Sequence, residues 1–190
     1  IAPIGLVYKK EQAFKLGCES AAITHGHPSG YLSAGALSYV IAALVEGEDL
    51  ETAVEHALVA CEIYPSSEEC SQLIKKAITL TKSDTPDLQA IGSLGEGWVG
   101  EEALAISIYC ALKYQNDFKK AVITAVNHNG DSDSTGAITG NILGAYVGIN
   151  GVPENWVREV ELSEQLTQLA EDLVKIYEDS KEWHQKYPGW

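Results

Sequence analysis

The sequence predicts an all-α domain, on three grounds. Apolar residues recur at helical spacing along nearly the whole chain. Alternating runs bounded by turn residues, which would mark half-buried strands, are scarce. Capping residues and helix breakers divide the chain into segments of ordinary helix length. Residues 10–25 form a moderately amphipathic helix that runs into the turn Gly26-His-Pro-Ser-Gly30, where Pro28 and the glycines break it. Ser29 is then placed to cap the next helix.

That helix, 31–46, is apolar or small on every face, with Ala34, Gly35, Ala36, Ala42 and Ala43 among larger residues, so it belongs at the centre of a bundle. Asp49 caps a helix whose Leu50, Val54, Ala57, Leu58 and Cys61 share a face, and Pro65 stops it. Ser66 with Glu69 reads as a capping box for the helix bearing Cys70, Leu73, Ile74, Ala77 and Ile78. Thr85-Pro86 reads as an N-cap followed by proline at the first helical position, giving a short helix to Ile91 and then the loop Gly92-Ser-Leu-Gly-Glu-Gly-Trp-Val-Gly100. Residues 101–115 are again apolar on most faces, and Asp117 caps a helix that ends near Asn127-His-Asn-Gly130.

Beyond Asp131-Ser-Asp-Ser-Thr135, glycines at 136, 140, 144 and 148 fall on nearly one face of a helix. Each costs up to ~1 kcal/mol against alanine, so the stripe predicts a backbone held close to another helix. A short helix follows Pro153, and 163–180 reads as an amphipathic surface helix with Leu166, Leu169, Leu173 and Ile176 facing inward. There is no internal repeat or long linker, so 1–190 is assigned to one domain.

A domain of 190 residues buries roughly 70% of its unfolded surface, enough for a core without staples. Cys18, Cys61, Cys70 and Cys110 form no CxxC or zinc spacing and read as buried, reduced thiols of a cytoplasmic protein. Thirteen Lys and Arg against 27 Asp and Glu give a net charge of −14, which repels phosphate backbones and argues against nucleic-acid binding. No apolar run is expected to reach the ~18 uncharged residues of a membrane span, and no signal peptide opens the chain. The chain has no methionine and opens with Ile1-Ala-Pro-Ile-Gly5, which suggests a processed chain or, preferably, a fragment.

Chemistry concentrates in His128-Asn-Gly-Asp-Ser-Asp-Ser-Thr-Gly136. Asp131 and Asp133 flank Ser132 at a helix start, with the hydroxyls of Ser134 and Thr135 beside them, and such a turn offers a hard divalent cation half a site. The same residues also serve a simple helix cap, and the sequence leaves both readings open. An EF-hand loop fits at its first, third, fifth and sixth places but fails at the twelfth, where Ile142 stands instead of a bidentate Glu. The Gly95-Glu-Gly-Trp98 loop offers backbone N–H groups and an indole face for a phosphate and a base, although Glu96, Glu101 and Glu102 oppose a phosphate placed directly on them. His25 and His27 read as ligands, proton carriers or ordinary turn histidines. No nucleophile elbow is present, and Cys110 lies within an apolar helix.

Four ordered segments together resemble the ADP-ribosylglycohydrolase family: Ile1-Ala-Pro-Ile-Gly5, Thr24-His-Gly-His-Pro28, Gly95-Glu-Gly-Trp-Val-Gly-Glu-Glu-Ala-Leu104, and Gly130-Asp-Ser-Asp-Ser-Thr-Gly-Ala-Ile-Thr-Gly140 running on to Gly144-Ala-Tyr146. The resemblance implies a compact orthogonal multi-helix domain, here its C-terminal half, with two Mg²⁺ or Mn²⁺ ions in a cleft. It implies that Asp131, Asp133 and Ser134 ligate metal, that the two aspartates serve catalysis through it, and that His27, Gly95, Gly97 and Trp98 border ADP-ribose. Ser134 stands where the family usually has Thr and keeps the hydroxyl. The implied activity is hydrolysis of the N- or O-glycosidic bond that links ADP-ribose to a protein or small molecule. The family's Thr-Asp-Asp-Thr run is absent, so the missing N-terminal half is an expected partner, and an inactive ADP-ribose-binding or structural relative is the alternative.

Overall fold

The computed structural model describes residues 1–175 and 179–189, and the regular elements among them are helical. In chain order they are α1 (Ala2–Val7), α2 (Lys10–Ala22), α3 (Pro28–Val45), α4 (Leu50–Glu62), α5 (Glu68–Thr81), α6 (Asp87–Leu94), α7 (Gly100–Lys113), α8 (Phe118–Val126) and α9 (Ser132–Val147). A 3₁₀ turn at Ile149–Gly151 leads to α10 (Glu154–Glu159), α11 (Ser163–Leu173) and α12 (Lys181–Lys186).

The all-apolar segment is the central helix, as its sequence predicts, with α1, α2, α4, α7 and α9 packed around α3. It starts earlier than expected because Pro28, with its fixed φ, takes the first helical position. Ser29 therefore lies inside the first turn and does not cap; it is buried and donates to the Glu69 carboxylate on α5. Glu69 is thus drawn away from the expected capping box, and Ser66 sits at φ 59° outside the helix, so that box does not form. α3 also corrects the reading that no stretch has membrane-spanning length. Pro28–Val45 is 18 residues at mean hydropathy 1.3, but 72% of it is buried within the chain's own fold, as befits a core helix.

The caps at Asp49 and Asp117 form, accepting from the N–H groups of Thr52 at 3.0 Å and Lys120 at 2.9 Å. Thr85 does not cap; α6 begins at Asp87 and continues through Gly92 to Leu94, so the loop that follows is shorter than expected. All four cysteines are free and buried, and burial pushes the Cys18 and Cys110 thiols up to about 12, leaving them inert.

Close backbone approach occurs, but not along the predicted glycine stripe. A Cβ on Gly35 would stand 2.3 Å from Cys18 Sγ and 2.9 Å from the Phe14 carbonyl, and one on Gly17 would stand 2.9 Å from the Ala34 carbonyl. These two glycines let α2 lie directly on α3. On α9 only Gly136 is crowded, by Val126 at 2.5 Å; Gly140 and Gly144 meet nothing within 4 Å, and Gly148, at φ 66°, follows the last residue of the helix. The C-terminal reading also needs correction. Leu166, Leu169 and Leu173 are 51%, 47% and 40% exposed, and the buried residue of α11 is Asp172. Asp172 accepts from Lys175 at 3.0 Å, from the Tyr187 hydroxyl at 2.6 Å and from Lys186, which ties α11 to α12 and turns the leucines outward. Ile176 lies outside the described residues.

Asp87 ties the start of α6 to the end of α7. It accepts from Tyr109 at 2.7 Å, Tyr114 at 2.6 Å and Lys113 at 2.9 Å. Burial opposes its ionisation, yet the hydrogen bonds from Tyr114, Lys113 and Tyr109 prevail and hold the carboxyl below its ordinary range. A depressed carboxylate pKa stabilises the fold above the unfolded value and loses that contribution as pH falls through the folded one. Asp87→Ala should therefore lower stability by about 2 kcal/mol at neutral pH, with the gap from wild type closing below about pH 4 in urea titrations. Gly35→Ala should destabilise by about 1–3 kcal/mol through overpacking. Gly140→Ala, made in open space, should instead stabilise this chain by about 0.5–1 kcal/mol, and thermal melts distinguish the two signs.

Candidate functional site

Two glycine loops cross at the N-terminus of α9. The first, Gly95–Val99, turns between α6 and α7 with Gly95 at φ 132° and Gly97 at φ 82°, conformations that favour glycine. The second, Asn127–Asp131, joins α8 to α9. Where they meet, the Asp131 N–H donates to the Glu96 carbonyl at 2.8 Å. A Cβ on Gly130 would stand 1.7 Å from that carbonyl oxygen, so only glycine allows the crossing.

Asp131 is the N-cap of α9 and accepts from the Ser134 N–H at 3.5 Å, so the capping reading holds geometrically. Its carboxyl lies below the ordinary range, chiefly through the Ser134 side chain. Asp133 is exposed in the first turn, with Ser134 beside it partly buried. These three oxygen-bearing side chains fit a hard divalent cation in kind but not in number. Among the described residues no group of three or more His, Cys, Asp or Glu side chains converges as a metal cage would require.

Thr135 fixes the helix start from below. Fully buried, its hydroxyl donates to the Ala125 carbonyl at 2.7 Å and lies 3.0 Å from His128 Nε2. Because His128 Nδ1 accepts from the Gly130 N–H at 3.1 Å, the ring proton sits on Nε2 and is donated to Thr135. Ser107 of α7 donates to the Thr135 carbonyl at 3.0 Å, which locks α9 to the core.

The glycine loop is braced by Glu102, in the first turn of α7, whose Oε2 accepts from both the Glu96 and Gly97 N–H groups at 3.0 Å. These are two of the amides the sequence offered for a phosphate, and the chain's own carboxylate occupies them. Trp98 is 66% exposed and donates through Nε1 to Glu96 at 3.1 Å, leaving the indole as an open flat surface. Gly97 thus lies against Asp131, where a Cβ would stand 3.5 Å from the Asp131 carbonyl oxygen, and Gly95 and Trp98 belong to the same loop. Glu96, Gly95, Asn127, His128 and Gly130 line a cavity of about 560 Å³ at the crossing.

His27 is placed differently. It is the N-cap residue of α3, its side chain is 72% exposed, and its Nδ1 lies 4.0 Å from Glu69. A second cavity, of about 380 Å³, is lined by His25, not His27, together with Ser33, Gly100, Leu104 and Asn141. Sequence reasoning set Thr135 beside the aspartates as a hydroxyl donor and read Glu102 as opposing a phosphate, but it did not foresee the bracing role of Glu102 or the buried pairing of His128 with Thr135. An acid just after a glycine-rich turn was the available signal for Glu102, while the His128 and Thr135 pairing depends on a loop geometry that spacing does not reveal. Thr135→Val, which keeps the shape but orphans the Ala125 carbonyl and the His128 proton, should cost about 1–3 kcal/mol in chemical denaturation.

The model of the ADP-ribosylglycohydrolase family matches residues 1–183. The ADP-ribosylhydrolase ARH3 of Mus musculus is 27% identical over 95% of this chain and 56% of its own length. An uncharacterized protein of Archaeoglobus fulgidus is 30% identical over 93% of the chain and 56% of its own length. The ADP-ribosyl-[dinitrogen reductase] glycohydrolase of Rhodospirillum rubrum is 38% identical over 24% of the chain and 15% of its own length. The chain therefore spans little more than half the length of ARH3 and the archaeal relative. With its helical fold and the matched residues in family order, the chain belongs to the ADP-ribosylglycohydrolase family.

Proposed function

We propose that this chain forms one wall of a catalytic cleft that hydrolyses the N- or O-glycosidic bond between ADP-ribose and a modified protein or small molecule. The observation that carries the proposal is the crossing of the two glycine loops, which joins the loop bearing Gly95, Gly97 and Trp98 to the Asp131 helix start through the Asp131 N–H and the Glu96 carbonyl. ADP-ribose lies along the Gly95–Trp98 loop, with the exposed indole facing a base or ribose and His27 at the margin of the cleft. Asp131, Asp133 and Ser134 would hold Mg²⁺ or Mn²⁺, two ions in the complete site. Bound there, the ions would polarise the reacting oxygens and stabilise charge as the glycosidic bond breaks. The protein's part is to fix these donors in place through the α9 cap and the buried Thr135.

Two carboxylates do not complete a two-ion site, so we assign the remaining ligands to polypeptide beyond these 190 residues. Relatives such as ARH3 and the Rhodospirillum glycohydrolase, named for action on ADP-ribosyl groups, support the substrate class. Free, buried thiols suit the cytoplasm, where we place the protein. The small number of carboxylates also favours one other reading, an inactive relative that binds ADP-ribose.

Calorimetric titration of ADP-ribose, with and without Mg²⁺ or Mn²⁺, separates these readings when run on this chain and on the full-length parent. Metal-dependent binding by the parent, with no turnover by the 190-residue chain, is the expected result. Metal-independent binding without turnover by the parent would establish the inactive relative. In the active parent, Asp133→Asn should weaken metal binding and lower turnover by roughly a hundredfold or more, and unchanged turnover would remove Asp133 from the mechanism.

A further inference from the structure

We propose that Glu102 is a positioning residue, one that sets the plane of the Glu96–Gly97 peptide and through it the place of Asp131. The inference rests on the functional reading above only for the identity of the ligand.

The geometry turns on one peptide group. The carbonyl of Glu96 and the N–H of Gly97 belong to the same peptide unit, and it is trans. In a trans unit these two groups point to opposite edges of the plane. One edge accepts from the Asp131 N–H at 2.8 Å, and the other donates to Glu102 Oε2 at 3.0 Å. The same oxygen accepts from the preceding Glu96 N–H at 3.0 Å, so two consecutive amides converge on one carboxylate oxygen. The Glu102 side chain also fills the space beside Gly95, where a Cβ would stand 2.2 Å from its Cδ.

Glycines on both sides make this anchor necessary. Gly95 and Gly97 hold positive φ values of 132° and 82°, and a segment hinged at two glycines has many alternative conformations. Rotating the peptide away from Glu102 also turns the Glu96 carbonyl away from Asp131. The helix end bearing Asp131 and Asp133 would then lose its only contact of this kind with the loop among the described residues. Glu102 need not touch a ligand to act in this way.

The test uses variants that separate reach from charge. Glu102→Gln keeps the length and an oxygen that accepts both N–H groups; Glu102→Asp keeps the charge but falls short by a methylene. In amide hydrogen exchange on the 190-residue chain, Glu102→Ala and Glu102→Asp should speed exchange at Glu96, Gly97 and Asp131 by about tenfold or more. Glu102→Gln should stay near wild type, and core amides of α3 should not change in any variant. Should Glu102→Ala unfold the chain, which the α3 amides would reveal, the Asp and Gln variants decide the matter. An unaltered Asp131 amide in Glu102→Asp, or a Gln variant as fast as the Asp variant, would overturn the proposal.

In the full-length parent, the Asp variant should bind ADP-ribose about tenfold more weakly than wild type, and the Gln variant nearly as well. Equal binding by the Asp variant and wild type would deny Glu102 any influence on the ligand. Failure of the wild-type parent to bind ADP-ribose would sink the functional reading instead, while the exchange data would still decide the coupling between Glu102 and Asp131.

Discussion

The hydrogen bond from the Asp131 N–H to the Glu96 carbonyl joins two segments 35 residues apart and sets the geometry around the α9 start. It forms at 2.8 Å because Gly130 brings no Cβ to the crossing, where one would overlap the carbonyl oxygen. A side chain at position 130 would push the loops apart by more than the hydrogen bond can span. The site is therefore built on backbone contact, with its side chains projecting from a frame that the glycines permit.

That frame is rigid because it stands on buried helices. Thr135, one turn into α9, is fully buried and tied to α7 through Ser107 and to the end of α8 through Ala125. α7 is buried from Ala103 to Ala111 and packs on α3, α5, α8 and α9. The central α3 is in turn gripped by α2 at Gly17 and Gly35, where the helices approach too closely for larger residues. Displacing Asp131 thus requires moving either a buried threonine or the braced glycine loop, and the loop is the softer of the two.

Much of this was legible in the sequence. The central helix could be read because 31–45 carries no charged residue, and the Asp49 and Asp117 caps because each acid stands directly before an apolar periodic run. Asp131 and Asp133 stood out for the same local reason. What could not be read depends on partners distant in sequence. The Ser66 and Glu69 pair fits a capping box by spacing, but Ser29, 40 residues earlier, competes for the glutamate. The repeating glycines of α9 suggested close packing along the whole stripe, whereas only Gly136 of them is crowded and the helices approach most closely at Gly17 and Gly35, which belong to no such repeat. Periodicity shows which residues share a face, not what that face meets. The leucines of α11 failed on the same point, because a buried Asp172 paired with Lys186 and Tyr187 determines how that helix is turned.

The charge at the site bears on how it would receive a ligand with a diphosphate. The net charge is −14, and neither 95–102 nor 127–136 contains a lysine or arginine. Two loop amides that would otherwise attract an anion already hold the Glu102 carboxylate. Glu96, Glu101, Asp131 and Asp133 add further negative charge along the same two segments. A diphosphate approaching this wall meets repulsion from fixed carboxylates, and water alone does not screen charges only a few ångströms apart. Positive charge has to be brought from outside these segments, either as side chains from elsewhere or as bound cations. Oxygen donors concentrated at the α9 start favour the second source, since hard divalent cations take such ligands. The proposed dependence on Mg²⁺ or Mn²⁺ therefore has a ground in electrostatics separate from family membership.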